Sequence, residues 1–402
     1  MAMILSSTLA HAIRTRAQQK GTRSFYMYDT QPMRAKISHL KALMPTGVEI
    51  FYAMKANPHP TFLSTALKAG VIGVEIASLG EGDKALAAGF RPHQLIFTGP
   101  GKSPEELEWS VTQGVRTIHL ESLTEAHRLN SICRDKNIKQ DILVRINPNF
   151  HIHDAQANFS GDSNKLGIDE TKLYEFLPQI LNLPFLQFRG LHVYAASGVL
   201  YVQDLLKNCE LVFNLARDIE NKFQKNLCPI IDFGGGFGVD YLETGKDFLP
   251  EVYAAGLKKL IDDFGFEKRH FVLELGRYLT ADSGWYCSEI IDIKDSLGKK
   301  QIICAGGSNH FRRPAALRIN HPLAIVAMNR PVIYEGQESV RHEKAFIGGP
   351  LCNTADKLAI SDVDIDEAHI GDIAVFGLAG AYGLTMSHLE FLSHPRPDEV
   401  VL

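Results

Sequence analysis

Cysteine is sparse in this 402-residue chain, and the six present (Cys133, Cys209, Cys228, Cys287, Cys304, Cys352) form no CxxC pair and no Cys/His spacing. That scatter argues against both a structural zinc site and a disulfide framework, so no metal is expected and a reducing, cytoplasmic setting is. Basic runs are missing too. With a net charge of -4 and no Lys/Arg stripe, the chain lacks the electrostatic footprint of a nucleic-acid binder. No window reaches the roughly 18 apolar residues that a membrane span requires, so no membrane partner is expected. The opening "MAMILSSTLAHAIRTR" does not read as a secretory leader, because His11 interrupts its apolar run and basic residues follow the run. A surface helix is expected there. Internal repeats and low-complexity segments are absent as well. What remains is a globular chain, 45% hydrophobic, with material for a large core and two domains, and a small molecule is its expected partner.

Between residues 31 and 275 short β-rich runs recur, each followed by a segment of helical periodicity: "VEIFYAM", "GVEIA", "LIFTG", "TIHLE", "ILVRINP", "FRGLHVY", "IIDFGGG" and "FVLELG". The intervening "SPEELEWSVTQGV" and "SLTEAHRLNSICRDKN" carry polar caps and apolar residues at three- and four-residue spacing, and "PMRAKISHLKALM" precedes the first run. The pattern predicts an α/β fold, a parallel (β/α)8 barrel over 31–275. After Arg277 the texture changes to "GWYCSEIIDIKDS", "KQIICAGG", "AIVAMN", "PVIYEG", "KAFIGGP" and "GDIAVFGLAG", strands with short polar turns and little helix. Residues 276–402, joined by 1–30 with the early strand "SFYMYD", are therefore expected to form a second, mainly antiparallel β domain.

In such a barrel, chemistry gathers where strands end and the βα loops converge. Polar residues collect at those ends: Lys55, Glu75 with Ser78, Arg145 with Asn147, His192, Gly234 to Gly236, and Glu274 with Arg277. Lys55 in "FYAMKANPHP" follows a buried strand, and apolar neighbours there would favour the neutral, nucleophilic amine that a Schiff base needs; a solvated surface lysine is the plain alternative. "DFGGGFG" (Asp232 to Gly238) lets backbone N–H groups approach a phosphate, although glycine clusters also make ordinary turns. "ELGR" (Glu274 to Arg277) offers a carboxylate for a pyridine nitrogen, or a simple ion pair at the barrel end. Together the phosphate cradle and the amine suggest pyridoxal phosphate.

At this point the sequence resembles the pyridoxal-phosphate decarboxylases of the alanine-racemase-like fold, which include diaminopimelate and ornithine decarboxylases. The resemblance runs through "YAMKAN", "VEIASLGE", "FTGPGKS", "GLHVY", "DFGGGFG", "ELGR", "GGPLCNTAD", "AGAYG" and "HPRPDEV". It implies pyridoxal 5'-phosphate as cofactor, Lys55 as the Schiff-base lysine and His192 as the imidazole stacked on the ring. By the same resemblance Glu274 pairs with the pyridine nitrogen, Gly235, Gly236, Gly276, Arg277 and Tyr382 surround the phosphate, and Arg145 and Glu75 complete the polar shell. Cys352 would face the site of a second subunit and protonate the carbanion carbon, which implies a homodimer with shared sites.

Diaminopimelate decarboxylases have a glutamate after the active-site cysteine and ornithine decarboxylases an aspartate, each suited to a distal ammonium; here Asn353 stands there. The segments from Ala305 to Ile325 and from Ala379 to Pro397 resemble the siderophore-biosynthesis branch (staphyloferrin B, vibrioferrin and achromobactin pathways). That implies removal of the α-carboxylate from an amino acid already joined to citrate, a citryl-diaminopropionate or citryl-serine. His310, Arg312 and Arg313 would suit the polycarboxylate tail, with either arginine as the main contact. Alternatives within the chemistry are free diaminopimelate or ornithine and a carrier-bound glutamate. A non-catalytic cofactor-binding regulator is the alternative outside it, and a racemase is disfavoured by the "GPLC" cysteine.

Overall fold

The structure is a computed structural model that describes residues 3–19, 21, 23–149, 157–158 and 165–402, the pair 157–158 as backbone only. Contacts divide it into two compact units: residues 33–239 with 247–279, and residues 1–32 with 240–246 and 280–402. The excursion 240–246, expected within the barrel, belongs to the second unit. No helix among the described residues is long and apolar enough to cross a membrane.

The first unit is a closed parallel barrel. Its strands run, in order around the wall, Thr117–Leu120, Leu95–Phe97, Gly73–Ile76, Val48–Ala53, His270–Leu275, Ile230–Asp232, Leu186–His192 and Gln140–Asn147, and the last pairs back onto the first. These are the runs read from the sequence. They are almost wholly buried, as strands walled by helices must be, and so they read as apolar runs with few alternations. Register then fixes the site, because it aligns Arg145 with His192 and His192 with Asp232 on adjacent strands. Glu75 similarly lies beside Ala53, two residues before Lys55.

Helices start where the sequence offers caps. Ser103 and Glu106 form a reciprocal capping box at Pro104–Gln113, which ends on left-handed Gly114. Ser78 accepts the Glu81 N–H at 3.2 Å, so this strand-end hydroxyl starts the helix Leu79–Ala87. Backbone approach also dictates residue type at Gly190, where φ is +144° and a Cβ would lie 1.8 Å from the carbonyl oxygen of Ile230. Only glycine lets those two barrel strands pair there.

In the second unit Gly284–Ser296 pairs antiparallel with Ser24–Tyr28, Lys299–Cys304 and Ile373–Phe376, the last of which also pairs antiparallel with Leu323–Val326. Val340–Gly348 runs parallel to Lys299–Cys304 and antiparallel to Val363–Ala368. The N-terminal segment forms the helix Ser7–Gln18, which buries Leu9 and Ile13 against Phe25, Met27 and Val375. "PVIYEG" does not form its expected strand. Pro331 has no N–H to give a ladder, the Gln337 side chain captures the Ile333 N–H at 2.8 Å, and Val332, Ile333 and Tyr334 stand exposed.

Candidate active site

The barrel strands bring Lys55, Glu75, His192 and Glu274 to one end, as the sequence order required, and each has a specific neighbour. Lys55 Nζ lies 2.8 Å from both oxygens of Glu75, which is itself fully buried and accepts the Thr98 hydroxyl. The immediate neighbour of Lys55 is thus a carboxylate and not the apolar wall expected from the flanking residues. Arg145 pairs with Glu121 at 2.9 Å, and Glu121 also accepts the backbone N–H groups of Gly99 and Gly167. Glu121 therefore holds two strand-end loops and one cation together.

Beneath these groups lies a buried quartet. One donor atom from each of His119, His192, Asp232 and Glu274 falls within 4.8 Å of the others. Burial, then Asp232 and Glu75, push the Glu274 carboxyl well above its ordinary range, while Lys55 and Arg145 pull it down. Asp232 is pushed up to about 7, chiefly by burial, against its bonds to the Gly234 N–H and to Glu274. Burial likewise holds both imidazoles well below their usual range, so they are neutral.

The glycine turn follows directly. Gly234 has φ +63° and Gly236 φ +120°; a Cβ on Gly235 would lie 2.4 Å from the Glu274 carbonyl oxygen, and one on Gly236 3.1 Å from that of Ala196. Gly276 is equally confined, with Ala53 oxygen 2.9 Å from its notional Cβ. Arg277 begins the short helix Arg277–Thr280 and donates to Ser197 Oγ at 3.3 Å.

The remaining expected residues lie in the second unit. Cys352 and Asn353 are exposed, and Asn353 Oδ1 accepts the Ala355 N–H at 2.9 Å, which tightens their loop. Tyr382 is half-buried with φ +53°. Arg312 is exposed, whereas Arg313 is buried with its guanidinium 4.1 Å from the centre of the Tyr241 ring. His310 corrects an expectation. Its Nδ1 lies 3.0 Å from Ser24 Oγ, its carbonyl takes the Tyr26 hydroxyl at 2.8 Å, and burial pushes its pKa down to about 4. It is a neutral core histidine of the β domain, unsuited to a carboxylate tail.

Sequence reasoning passed over four residues: His119, Glu121, Asp232 and Asp356. The first two are the ionisable residues of "TIHLE", and ionisable groups inside a barrel-strand run were the available signal. Asp356 accepts the backbone N–H groups of Ser308 and Leu351 at 2.6 and 2.8 Å, tying the loop that carries Arg312 to the loop that carries Cys352. Because folding raises the Asp232 carboxyl above its unfolded value, the protonated form is favoured in the folded state. The stability it contributes is complete below about pH 4 and is lost as pH rises through about 7. Asp232→Asn is expected to flatten that part of the stability profile, read as denaturation midpoints of the cofactor-free protein at about pH 5 and about pH 7.5; an unchanged slope would contradict the assignment.

Comparison with known proteins agrees with this geometry. Residues 31–281 match the family described as pyridoxal-dependent decarboxylase, pyridoxal binding domain. The chain is 34% identical to 2-[(L-alanin-3-ylcarbamoyl)methyl]-2-hydroxybutanedioate decarboxylase of Staphylococcus aureus, covering 94% of this chain and 93% of that one. It is 30% identical to the L-glutamyl-[BtrI acyl-carrier protein] decarboxylase of Niallia circulans, over 94% of this chain and 88% of the relative. Diaminopimelate decarboxylase from Helicobacter pylori, solved with L-lysine, superposes with a TM-score of 0.86 at 25% identity, covering 96% of this chain and 93% of that one. The chain belongs to the pyridoxal-dependent decarboxylases, and it is a carboxy-lyase that uses pyridoxal 5'-phosphate.

Proposed function

We propose that the cofactor is held at the barrel end by Lys55, His192, Glu274 and the glycine turn, and that the substrate is an amino acid joined through its side chain to citrate. The buried polar atoms fit the group. His192 Nε2 and Glu274 Oε1 have no hydrogen-bond partner among the described residues, as a site for a flat ring with one polar nitrogen requires. Gly235, Gly236 and Gly276 each have protein atoms within 3.0 Å of where a Cβ would stand, so their main chain stays bare, and with Arg277 their backbone would receive the phosphate. Arg145 and Glu75 complete the polar surround.

Bound pyridoxal phosphate supplies an electron sink for the pair left behind by departing carbon dioxide. The protein's part is placement and proton handling. Lys55 contributes the amine that anchors the cofactor, and Glu75, 2.8 Å away, is placed to hold the proton that this amine exchanges. Glu274 would keep a proton on the ring nitrogen, and His192 would cover one ring face. Cys352, exposed on its own β domain, would serve the barrel of a second copy and deliver a proton to carbon.

The substrate reading is carried by one observation: Asn353, a neutral residue, directly follows Cys352 in an exposed loop that Asp356 ties to the Arg312 loop. A neutral amide cannot supply the opposite charge for a distal ammonium, and an exposed guanidinium can bind carboxylates in a bidentate manner. The name of the staphylococcal relative describes just such a molecule, alanine joined through its side-chain carbon and an amide to a citrate skeleton. A citryl-diaminopropionate or citryl-serine of siderophore assembly fits this chemistry. Since Arg313 is packed on Tyr241, Arg312 is the residue assigned to the tail. The Niallia relative favours a second reading, glutamate carried on a protein thioester.

Borohydride treatment of the cofactor-loaded protein is expected to leave a pyridoxyl mass on the peptide that contains Lys55; an unmodified Lys55 would refute its role. Lys55→Ala and Cys352→Ala proteins should each be severely impaired, yet regain about a quarter of wild-type activity when mixed and allowed to exchange subunits. No recovery would reject the shared site. Carbon dioxide release should be seen with citryl-diaminopropionate or citryl-serine and not with free diaminopimelate, ornithine or serine, and Arg312→Gln should raise KM for the conjugate about tenfold. Turnover of carrier-bound glutamate alone would select the second reading.

A further inference from the structure

His119 has no part in the mechanism above, yet it belongs to the buried quartet with His192, Asp232 and Glu274. It stands on the strand Thr117–Leu120 with its ring wholly buried, where both ring nitrogens need partners. Its Nδ1 lies 3.0 Å from Nδ1 of His192, and its Nε2 lies 3.2 Å from Thr117 Oγ1. Longer approaches reach Asp232 Oδ2 from Nε2 at 3.9 Å and Glu274 Oε1 from Nδ1 at 4.0 Å. The backbone beneath it is fixed as well, because its carbonyl accepts Lys102 Nζ at 2.8 Å and that lysine is ion-paired with Glu125 at 2.9 Å.

Two neutral imidazoles whose Nδ1 atoms face each other share a single proton. If His192 supplied it, the bare Nε2 of His192 would face Glu274 Oε2 across 3.8 Å, setting two acceptors against each other once Glu274 is ionised by pairing with the ring nitrogen. If His119 supplies it, His192 carries its own proton on Nε2, directed toward Glu274. His119 Nε2 then accepts the Thr117 hydroxyl, and the Asp232 carboxyl 3.9 Å from that nitrogen, raised by burial so that its protonated form is favoured, sets no second acceptor against it.

We propose that His119 is a positioning residue: it donates its Nδ1 proton to His192, fixing the plane and the Nε2–H tautomer of that ring and, through it, the orientation of Glu274 toward the cofactor. This rests on the reading of His192 and Glu274 as cofactor contacts. His119 acts from behind both residues and touches neither cofactor nor substrate, so its effect is on how the ring is held.

The experiment compares His119→Leu with His119→Asn, whose amide nitrogen can occupy the place of Nδ1 and keep the donor, using Glu274→Gln as control. Cofactor affinity is measured by fluorescence titration of the cofactor-free proteins, and the absorption band of bound pyridoxal phosphate is recorded. The leucine variant is expected to bind the cofactor about tenfold more weakly with a shifted band, and the asparagine variant to stay within about twofold of wild type. Wild-type affinity and spectrum in the leucine variant, or equal losses in both variants, would overturn the proposal. Should the leucine protein fail to fold by circular dichroism, His119→Ala replaces it in the same comparison. Unchanged affinity and spectrum in Glu274→Gln would instead overturn the underlying site reading, which separates the two failures.

Discussion

A carboxylate buried beside a second carboxylate is the constraint on which this site depends. Glu274 and Asp232 end adjacent barrel strands, and burial raises both. Left alone, such a pair would keep at least one proton and press against the fold. Lys55 and Arg145 relieve part of that pressure from above, and the neutral imidazoles of His119 and His192 fill the space between without adding charge. A bound ring with a protonatable nitrogen, as proposed here, would complete the arrangement by giving Glu274 a further positive partner.

The barrel supplies the rigidity that this electrostatic arrangement needs. Parallel register sets Arg145, His192 and Asp232 side by side, so their spacing is fixed by backbone pairing and not by flexible side chains. Glycine does the complementary task at the turn after Asp232, where Asp232 itself accepts the Gly234 N–H at 2.7 Å. One residue thereby shapes the glycine turn and places a second carboxyl beside Glu274. In the β domain Asp356 plays a comparable part, gathering two loops by their backbone N–H groups.

Much of this was legible in the chain. The barrel strands are buried on both faces, which makes them short apolar runs that stand out between amphipathic helices. Lys55, Glu75, Arg145, His192 and Glu274 announced themselves as polar residues at the ends of those runs. Legibility fell where burial fell. Val363–Ala368 alternates acids with apolar residues and pairs only on one side, and Asp398–Val401 pairs with Ser24–Tyr28 across the whole chain, so neither read as a strand. "PVIYEG" has strand composition, yet Pro331 and the Gln337 side chain decide against a ladder. His310 shows the same limit in the site, since its basic neighbours in "HFRRP" suggested a ligand contact while Ser24, distant in sequence, claims its ring.

By itself the sequence determined the alternation of strand and helix, the residue types at the strand ends and the order of motifs that marks the family, because these depend on local pattern and spacing. Tertiary structure alone decided which polar groups meet. That Lys55 lies against Glu75, that His119 lies against His192, that Arg313 lies on Tyr241 while Arg312 stays exposed, all follow from strand register and long-range packing. The charge and proton position of each group are set by those neighbours, and neighbours far apart in the chain leave no local trace.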